Sequence, residues 1–580
     1  MTGMPSLLVR ARRRAGRVKR WVKRRLHERN VGRQYAAWLG QATSVYPGTT
    51  SYLTTISILV PVYDPPPAFL RQCLQSVIGQ QARNWQLVVV DDGSTKPEVT
   101  SYLAEFGREH DGDERVVVVS QANGGISSAL NRALSLATGR YVGVLDHDDL
   151  LDPRCIDSFA HALEDNAFPD AVYSDEDKVT ARGDHLELYC KPDFSPELLL
   201  TQMYLCHFTV FRLDHVREVG GFRTEMDGAQ DFDLALRLLP RLVRVAHIAR
   251  PLYHWRTWAE STARSIDAKP WAQDAAARAQ LDHLTRSFGG GAVAPSVIPG
   301  LNEVHPRVGG DPVVSVIIPT VGTRNPNGSG RFVDAAVHSL LERETSATLE
   351  IIVVTTGVIP DVPVDLHGKH TVRHVVYDTQ SFNFSEAINT GRAAATGRFL
   401  LLLNDDTTVA GPNPVTRLLE VGQIDGVGIA GCRLTYPDGR LQHAGMILLP
   451  DGPTHCWIGR PGKEPGYFGS TLTPRNYLAV TAAAMLVRAD VFDELDGFDP
   501  RFARDFNDVD FCLRARQRGH RVAWTPYAHF THHEGATMAR RKPDPAEAEL
   551  FRSRWAQVFP VDPYYSPALH QSLPRLYEAL

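Results

Sequence analysis

Four polar residues, Asp146, His147, Asp148 and Asp149, follow directly on the apolar run 141–145. A short apolar run that ends in acidic residues is typical of a buried parallel strand, whose carboxyl end delivers carboxylates into the crevice above a sheet. Oxygen ligands of this kind suit Mg²⁺ or Mn²⁺, which share their remaining coordination positions with waters and substrate phosphates. The stretch therefore predicts a site for a divalent cation and a diphosphate. Because 22% of the chain is charged, a solvated loop is the alternative.

Two earlier apolar runs also end in residues that could contact a ligand. Asp91 and Asp92 end the run 87–90, and a carboxylate there could accept a hydrogen bond from a ribose hydroxyl or a base N–H. Pro61 and Tyr63 end the run that starts at Ile56. Three prolines at 65–67 hold the next loop extended, so a nucleotide base could rest on it.

These residues need a sheet to bring them together. Apolar runs alternate with helical patterns from residue 56 to residue 145, which predicts a parallel α/β sheet with a nucleotide crevice at its carboxyl edge. A dinucleotide-binding fold would place a G-x-G-x-x-G turn after the first strand. The chain has Pro61, Val62, Tyr63 and Asp64 there, which disfavours that fold.

With these features in this order, the chain resembles the family 2 inverting glycosyltransferases, which have the GT-A fold. The resemblance rests on the segments 60–63 (VPVY), 91–94 (DDGS), 123–125 (NGG) with Asn131, and 146–149. It implies a metal-dependent enzyme that transfers a sugar from a nucleotide donor. The implied donor-binding residues of the first half are Pro61, Tyr63, Asp91, Asp92, Asn123, Asn131 and Asp146.

The resemblance also implies a catalytic base, metal ligands and an acceptor contact further along. Asp231 matches the family's base, which deprotonates the acceptor hydroxyl, although Gln230 stands where the family often has Glu. An aspartate at the start of a helix can also be an N-cap, so capping is the alternative role. The implied metal ligands are Asp148, Asp149 and His254, and the acidic run Asp175, Glu176 and Asp177 is expected to contact the acceptor.

The second half of the chain repeats the first. Residues 57–61 (SILVP) return as 315–319 (SVIIP), and 137–140 (ATGR) return unchanged as 395–398. Thr355 and Thr356 replace the Asp91–Asp92 pair, and a hydroxyl gives a weaker contact than a carboxylate. The repeat predicts a second active site with Asp508 as its base, donor contacts at Pro319, Asn389 and Asp405, and metal ligands Asp406 and His532, or His533 instead of His532.

The order of these segments predicts two tandem GT-A domains with mostly parallel sheets. We expect a basic helical segment (1–50), a first transferase domain (51–265), a linker with a helix and a flexible glycine connector (266–312), a second transferase domain (313–540) and a C-terminal helical tail (541–580).

Composition and charge limit the class of protein and its contact with membranes. A net charge of −4 and 43% hydrophobic residues describe a globular protein. The seven cysteines form no CxxC pair, so no zinc or disulfide framework is expected. No apolar run is long enough to span a membrane. The basic amphipathic segment 10–33 favours binding to an anionic membrane surface; nucleic-acid binding, a solvated helix and a transit peptide are the alternatives.

The leading hypothesis is a bifunctional transferase in surface-polysaccharide assembly. It would add sugars from UDP- or dTDP-sugar donors to a glycan acceptor, lipid-linked at the inner face of the cell membrane, and bind no nucleic acid. One alternative is that one domain transfers while the other is a glycan-binding or assembly module. A sugar nucleotidyltransferase is the second alternative, but it would need a glycine-rich loop where Pro65, Pro66 and Pro67 stand.

Overall fold

The computed structural model describes residues 52–258, 270–325, 330–357, 370–377, 381–534, 542–571 and 576–577. The predicted basic helix within residues 1–50 lies outside them. Within the described ranges, no helix combines the length and apolar character that a membrane span requires.

The first domain alternates strands and helices and then closes with a longer mixed part, in which the parallel pair of β6 and β9 is joined to antiparallel strands. Its central strands are buried on both faces, as apolar runs in a parallel sheet must be. Two 3₁₀ turns, Thr224–Met226 and Leu239–Arg241, flank the last helix. The elements are β1 (Ile56–Val62), α1 (Pro67–Ile78), β2 (Trp85–Asp91), α2 (Pro97–Glu109), β3 (Val116–Ser120), α3 (Ile126–Leu136), β4 (Tyr141–Val144), β5 (Leu150–Leu151), α4 (Cys155–Asp165), β6 (Ala171–Thr180), β7 (His185–Tyr189), α5 (Pro196–Leu199), β8 (Val210–Arg212), α6 (Leu213–Glu218), α7 (Gln230–Leu238) and β9 (Val245–Thr257).

The sheet of this domain has the order β3-β2-β1-β4-β8-β6-β9-β5, with β7 added beside β6. Strands β3, β2, β1 and β4 run parallel, so their carboxyl ends share one edge. Alternate residues of a strand face opposite sides; Leu59 packs in the core that contains α3, whereas Ile58 and Val60 pack in the core that contains α1. The sheet therefore sits between two helical layers.

The second domain has the same topology. Its sheet runs β14-β13-β12-β15-β22-β17-β23-β16, which matches the first domain strand for strand, and the prediction of two tandem GT-A-like α/β domains is confirmed. Its elements are β12 (Val313–Thr320), α9 (Phe332–Arg343), β13 (Thr348–Thr355), β14 (Thr371–Val376), α10 (Phe384–Ala394), β15 (Phe399–Leu403), β16 (Thr407–Val409), α11 (Pro414–Gly422), β17 (Val427–Thr435), β18 (Leu441–His443), β19 (Met446–Leu449), β20 (Gly452–His455), β21 (Arg475–Asn476), β22 (Ala484–Arg488), α12 (Ala489–Glu494), α13 (Asn507–Gln517) and β23 (Arg521–His532).

From residue 270 onward, the connector between the domains forms regular secondary structure. Helix α8 (Pro270–Phe288) is followed by a hairpin of β10 (Gly291–Pro295) and β11 (Asn302–Pro306). The glycine run predicted as a flexible connector instead enters this hairpin. A side chain at Gly291 would lie 2.5 Å from the carbonyl oxygen of His305, so glycine is required there by close packing.

The C-terminal helix α14 (Pro545–Trp555) packs against the second domain. Arg554 and Trp555 both donate to Oδ1 of the buried Asp510, at 2.6 and 3.0 Å. The tail is thus held to α13 by charge-assisted hydrogen bonds, as a docking tail would be.

An asparagine clamps the same loop to the same helix in each domain. The side-chain amide of Asn131 on α3 donates to the carbonyl oxygen of Phe222 at 2.7 Å and accepts from its N–H at 2.9 Å. Asn389 on α10 makes the same pair of bonds to Phe498, at 2.8 and 2.9 Å. The predicted donor contacts of Asn131 and Asn389 stay predictions, which would use the second N–H and the remaining carbonyl lone pair of each amide.

We expect Asn131→Ala to lower stability by about 1–3 kcal/mol, because it leaves two backbone groups of Phe222 unpaired. Thermal unfolding of the full chain measures this. Ser135→Ala on the same helix is the control, since its hydroxyl bonds only within the helix, to the carbonyl of Arg132. An unchanged melting temperature with weakened donor binding would favour the ligand role.

Polar contacts join the two domains. The guanidinium of Arg521 on β23 donates to Oε1 of Glu197 at 2.8 and 3.1 Å, and the Glu197 side chain is fully buried. Ser195 donates to Oδ1 of Asn476 at 2.7 Å, and Tyr467 accepts from the N–H of Cys190 at 2.9 Å. The segment between β7 and α5 of the first domain is thus bonded to the second domain.

Glu197→Ala should destabilise this interface by about 2 kcal/mol, since it leaves Arg521 without its carboxylate. We expect the melting temperature to fall by several degrees, or the transition to split in two as the domains uncouple. The matched control is Glu494→Ala, whose half-exposed side chain pairs with Arg518. Equal effects of the two changes would contradict a role for Glu197 in joining the domains.

Candidate active site

Two loops at the carboxyl edge of the first sheet are tied together by Asp92. Its Oδ1 accepts from the N–H of Gly124 and its Oδ2 from the N–H of Gly125, both at 2.9 Å. Gly93 has a φ of +74°, and a side chain there would lie 2.9 Å from the backbone nitrogen of Asn123. The donor contact predicted for Asp92 stays a prediction, since these two bonds leave part of the carboxylate's acceptor capacity unused.

The other residues predicted to bind the donor differ in how much of the side chain is exposed to a ligand. Asp91 is buried, and its Oδ1 accepts from the N–H of Ser94 at 3.0 Å. The carbonyl oxygen of Pro61 lies 3.0 Å from Nδ1 of His147. Asn123 is exposed, and Tyr63 is 49% exposed. The last two side chains are therefore open to a ligand at this edge.

The carboxylates that follow β4 divide into one buried and two more accessible groups. Asp149 is 1% exposed; the Tyr253 hydroxyl donates to it, and the N–H of Arg256 donates at 2.7 Å. Burial and the charges of Asp146 and Asp148 hold the pKa of Asp149 well above its usual range. Asp149 thus supports the loop, which leaves Asp146 and Asp148 as the first choices for a cation.

Asp148 has its own partners. Its Oδ2 accepts from Nε1 of Trp258 at 2.8 Å, and its carbonyl oxygen accepts from Nε of Arg256 at 2.6 Å. The side chain is only partly buried, so a carboxylate lone pair can still reach a cation.

A cavity of about 100 Å³ lies between one of these carboxylates, Asp146, and the predicted base. Asp231, in the first turn of α7, and Asp146 both line it. Ala229, not Asp231, is the N-cap residue of α7, so the capping role is not the one that Asp231 has. Its Oδ1 accepts from the N–H of Phe232 at 2.8 Å. Loss of water around the carboxyl raises the pKa of Asp231, although the residue is still accessible from solvent.

His207 was not among the predicted residues, but it lies at the centre of this site. It lines the same cavity, and one ligand atom each from His207, Asp146 and Asp149 lie within 4.8 Å of one another. Burial opposes its protonation, but the charge of Glu176 outweighs burial and raises the pKa of His207 to about 9. No spacing in the sequence marks this histidine, because it reaches the site from the loop before β8.

His254 belongs to a different cluster from the one predicted. Its Nδ1 lies 2.7 Å from Oδ1 of Asp177, whose Oδ2 lies 2.8 Å from Nδ1 of His185. In the described part of the chain, His254 groups with these residues and not with Asp148 or Asp149. The assignment of His254 to the metal site after β4 is corrected for that reason.

The acidic run on β6 is engaged inside the protein. Asp175 is 0% exposed and lies 2.9 Å from Nε2 of His247. Glu176 accepts from the buried Nζ of Lys191 at 2.9 Å; burial acts to raise its pKa, but the charges of Lys191 and His207 outweigh burial and lower it to about 2. The predicted acceptor contact of Asp175, Glu176 and Asp177 is therefore corrected, because all three carboxylates are buried against basic side chains.

The second domain brings its predicted residues together in a related way. Nε2 of His532 lies 3.1 Å from Oδ1 of Asp406, and both side chains are buried. Asp405 accepts from Oγ1 of Thr320, the residue after Pro319, at 2.6 Å. These contacts place His532 rather than His533 beside the carboxylate.

The base position of the second domain also corresponds to that of the first. Oδ1 of Asp508 accepts from the N–H of Val509 at 2.8 Å, as Asp231 does from Phe232. Its Oδ2 accepts from the N–H of Ala482 at 3.2 Å. At the nucleoside position, Oγ1 of Thr355 donates to the carbonyl oxygen of Gly357 at 2.5 Å, so that hydroxyl is already engaged.

Family models match the two domains separately. The family model "Glycosyl transferase family 2" matches residues 57–220, and "Glycosyltransferase like family 2" matches residues 312–557. Among solved structures, Staphylococcus aureus TarS 1–349 covers 40% of this chain and 72% of its own, with 17% identity and a TM-score of 0.31, which is too little to support a conclusion about this chain.

Relatives from two bacteria match both domains. The chain is 37% identical over 532 residues to the uncharacterized protein y4gI of Sinorhizobium fredii, covering 89% of this chain and 57% of the relative. It is 34% identical over 533 residues to the O-antigen biosynthesis protein RfbC of Myxococcus xanthus, covering 89% of this chain and 40% of the relative. The chain thus spans only about half the length of these relatives. Since each of its domains matches a family 2 model, the chain belongs to glycosyltransferase family 2, as a tandem member.

Proposed function

We propose that the chain is a bifunctional inverting glycosyltransferase, in which each domain transfers a sugar from a nucleotide donor to a glycan acceptor. The observation that carries this proposal is that Asp231 and Asp146 line one cavity at the carboxyl edge of the sheet. A carboxylate suited to take a proton thereby lines the same cavity as a carboxylate suited to a cation. The second domain has Asp508 at the corresponding base position, and it has Asp406 at the position of Asp148, paired with His532.

The residues of both sites fit a divalent cation. In the second domain the ligand atoms of Asp406 and His532 are 3.1 Å apart, which two ligands on one ion can be. In the first domain Asp148 and Asp146 offer oxygen atoms of the kind that Mn²⁺ and Mg²⁺ prefer. When bound, the ion supplies positive charge that offsets the charge of the leaving nucleoside diphosphate.

The protein's own residues account for the proton. Asp231 accepts the proton of the acceptor hydroxyl while that oxygen forms its bond to the anomeric carbon and the bond to the diphosphate breaks. Attack from the face opposite the leaving group inverts the anomeric carbon, as in inverting glycosidases. The raised pKa of Asp231 strengthens it as a base, because proton transfer is most efficient when the pKa of the base approaches the working pH.

Donor, acceptor and setting are inferred from the site and the relatives. Tyr63 and Asn123, exposed at the same edge, are placed for a UDP or dTDP nucleoside. The name of the RfbC relative favours surface-polysaccharide assembly, with a glycan acceptor that is lipid-linked. Binding of residues 1–50 to the inner face of the cell membrane would bring the enzyme to such an acceptor.

A second candidate function is transfer by the first domain alone, with the second as a glycan-binding module. The observation that favours it is Thr355, which replaces a carboxylate at the nucleoside position and bonds to Gly357. A sugar nucleotidyltransferase is not favoured, because Pro66 and Pro67 begin helix α1 where that activity needs a glycine-rich loop.

Asp231→Asn and Asp508→Asn, made separately, should each retain donor binding and lose one transfer step by about 10²–10⁴-fold, since an amide cannot accept the proton. Release of nucleotide from UDP- and dTDP-sugars with a panel of acceptors, with and without Mn²⁺, measures the two steps. Asp233→Asn is not a suitable control, because Asp233 pairs with Arg237; Glu225→Gln, on the exposed surface, is. Unchanged transfer in the Asp508→Asn chain would favour the glycan-binding module.

Transfer by the first domain should be lost as the pH falls through the pKa of Asp231, because the protonated carboxyl cannot act as a base. Since that pKa is raised from 3.8, the acidic limb of kcat/KM lies above pH 3.8. The Asp508→Asn chain, in which the first domain acts alone, is the form to assay. A limb at or below pH 3.8 would exclude Asp231 as the titrating base.

A further inference from the structure

Strands β9 and β23 occupy corresponding places in the two sheets, but they present different residues to the carboxylates. Leu150 pairs with His254 in the first domain, and Thr408 pairs with Thr531 in the second. Since Asp148 corresponds to Asp406, Leu150 corresponds to Thr408. His254 is therefore the counterpart of Thr531.

It follows that Trp255 is the counterpart of His532. Side chains alternate along a strand, so Trp255 faces the side that His532 faces, and His254 faces the other. The ring contacts agree, because the centroid of Trp255 lies 4.8 Å from that of His207. At the strand position where the second domain has its histidine, the first domain has a tryptophan.

His207 brings an imidazole to the first domain from another element. It lies five residues before Arg212, which pairs with Asp214 as Arg488 pairs with Asp490 in the second domain. The residue five before Arg488 is Ala483. The histidine thus stands at a different position in each domain. The first domain has His207 and Trp255 where the second has Ala483 and His532.

The two histidines also have different hydrogen-bond partners at Nδ1. Nδ1 of His207 lies 3.4 Å from Oε2 of Glu176, whereas Nδ1 of His532 lies 3.0 Å from Oε1 of Gln442. The pairing of β6 with β8 and of β17 with β22 makes Leu434 the counterpart of Glu176. A leucine cannot accept a hydrogen bond, and in the second domain there is no histidine at 483 for it to orient.

We propose that His207 is the imidazole ligand of the cation site in the first domain, in the role that His532 has in the second. This rests on the proposed function, because it requires that each site binds a cation. Ligating histidines are oriented through their second nitrogen by a carboxylate, a carbonyl or a similar partner, and Glu176 and Gln442 provide this from different strands.

The test uses the full-length chain with Asp406→Asn, which leaves the first domain as the cation site. Mn²⁺ affinity is measured by EPR and calorimetry for this chain, for His207→Ala added to it, and for His207→Ala with Trp255→His. His161→Ala is the control, since this histidine lies on α4 and pairs with Asp165. Melting temperatures are recorded for all four chains.

We expect His207→Ala to weaken Mn²⁺ binding at least tenfold and to remove the nitrogen modulation from the pulsed EPR signal. Trp255→His should restore both, because it rebuilds the arrangement of the second domain. The converse pair, His532→Trp and then Ala483→His in a chain with Asp148→Asn, should lose and regain binding in the same way.

Three results would overturn the inference. Unchanged Mn²⁺ affinity in the His207→Ala chain would mean that the imidazole is not a ligand. Lost affinity that Trp255→His does not restore, with a lowered melting temperature, would mean that His207 only supports the loop. Absence of Mn²⁺ binding to the unaltered chain would reject the cation site of the proposed function as well, which distinguishes that failure from the first two.

Discussion

Several carboxylates gathered at the end of one strand repel one another, and the rest of each domain is arranged around that constraint. Burial and the neighbouring like charges of Asp146 and Asp148 together raise the pKa of Asp149, because both disfavour its ionised form. The protein holds the group with donors from β9, the hydroxyl of Tyr253 and the N–H of Arg256. What remains is a negative field that faces the cavity and suits a cation.

This constraint explains why strand β9 matters as much as β4. The carboxylates come from the loop after β4, but their donors come from a strand that pairs with β6 and β5 at the far side of the sheet. The mixed second half of each domain therefore completes a site that the parallel half begins. A hydrogen bond also positions helix α7, which carries Asp231, because Asn131 on α3 fixes the loop that leads to this helix.

The two domains share their frame and differ in their polar side chains. Strand order, the asparagine clamp and the base position are the same in both. The nucleoside position and the source of the imidazole differ. The arrangement of strands and helices is the same in both domains because the close-packed core tolerates little change in shape. A polar side chain at the site can come from another element when a neighbouring strand supplies its hydrogen-bond partner.

The sequence by itself determined the parts whose signals are local or repeated. Apolar runs ending in polar residues identified the parallel strands, and the internal repeat identified the second domain, because hydrophobic periodicity directly reflects burial. The carboxylates after β4 could be located for the same reason, since a strand end determines where the next residues go, whereas Asp231 was predicted as the base only from the family resemblance.

Only the tertiary structure decided which side chains meet. Asp175 to Asp177 look available in the sequence, but they lie on a strand buried between its neighbours, and His254 lies one position away from the strand face that reaches the carboxylates. His207 has no local signal at all, because its place depends on where a loop folds back. Side-chain direction reverses at every residue of a strand, and pairing register, which the sequence does not state, sets which residue faces the site.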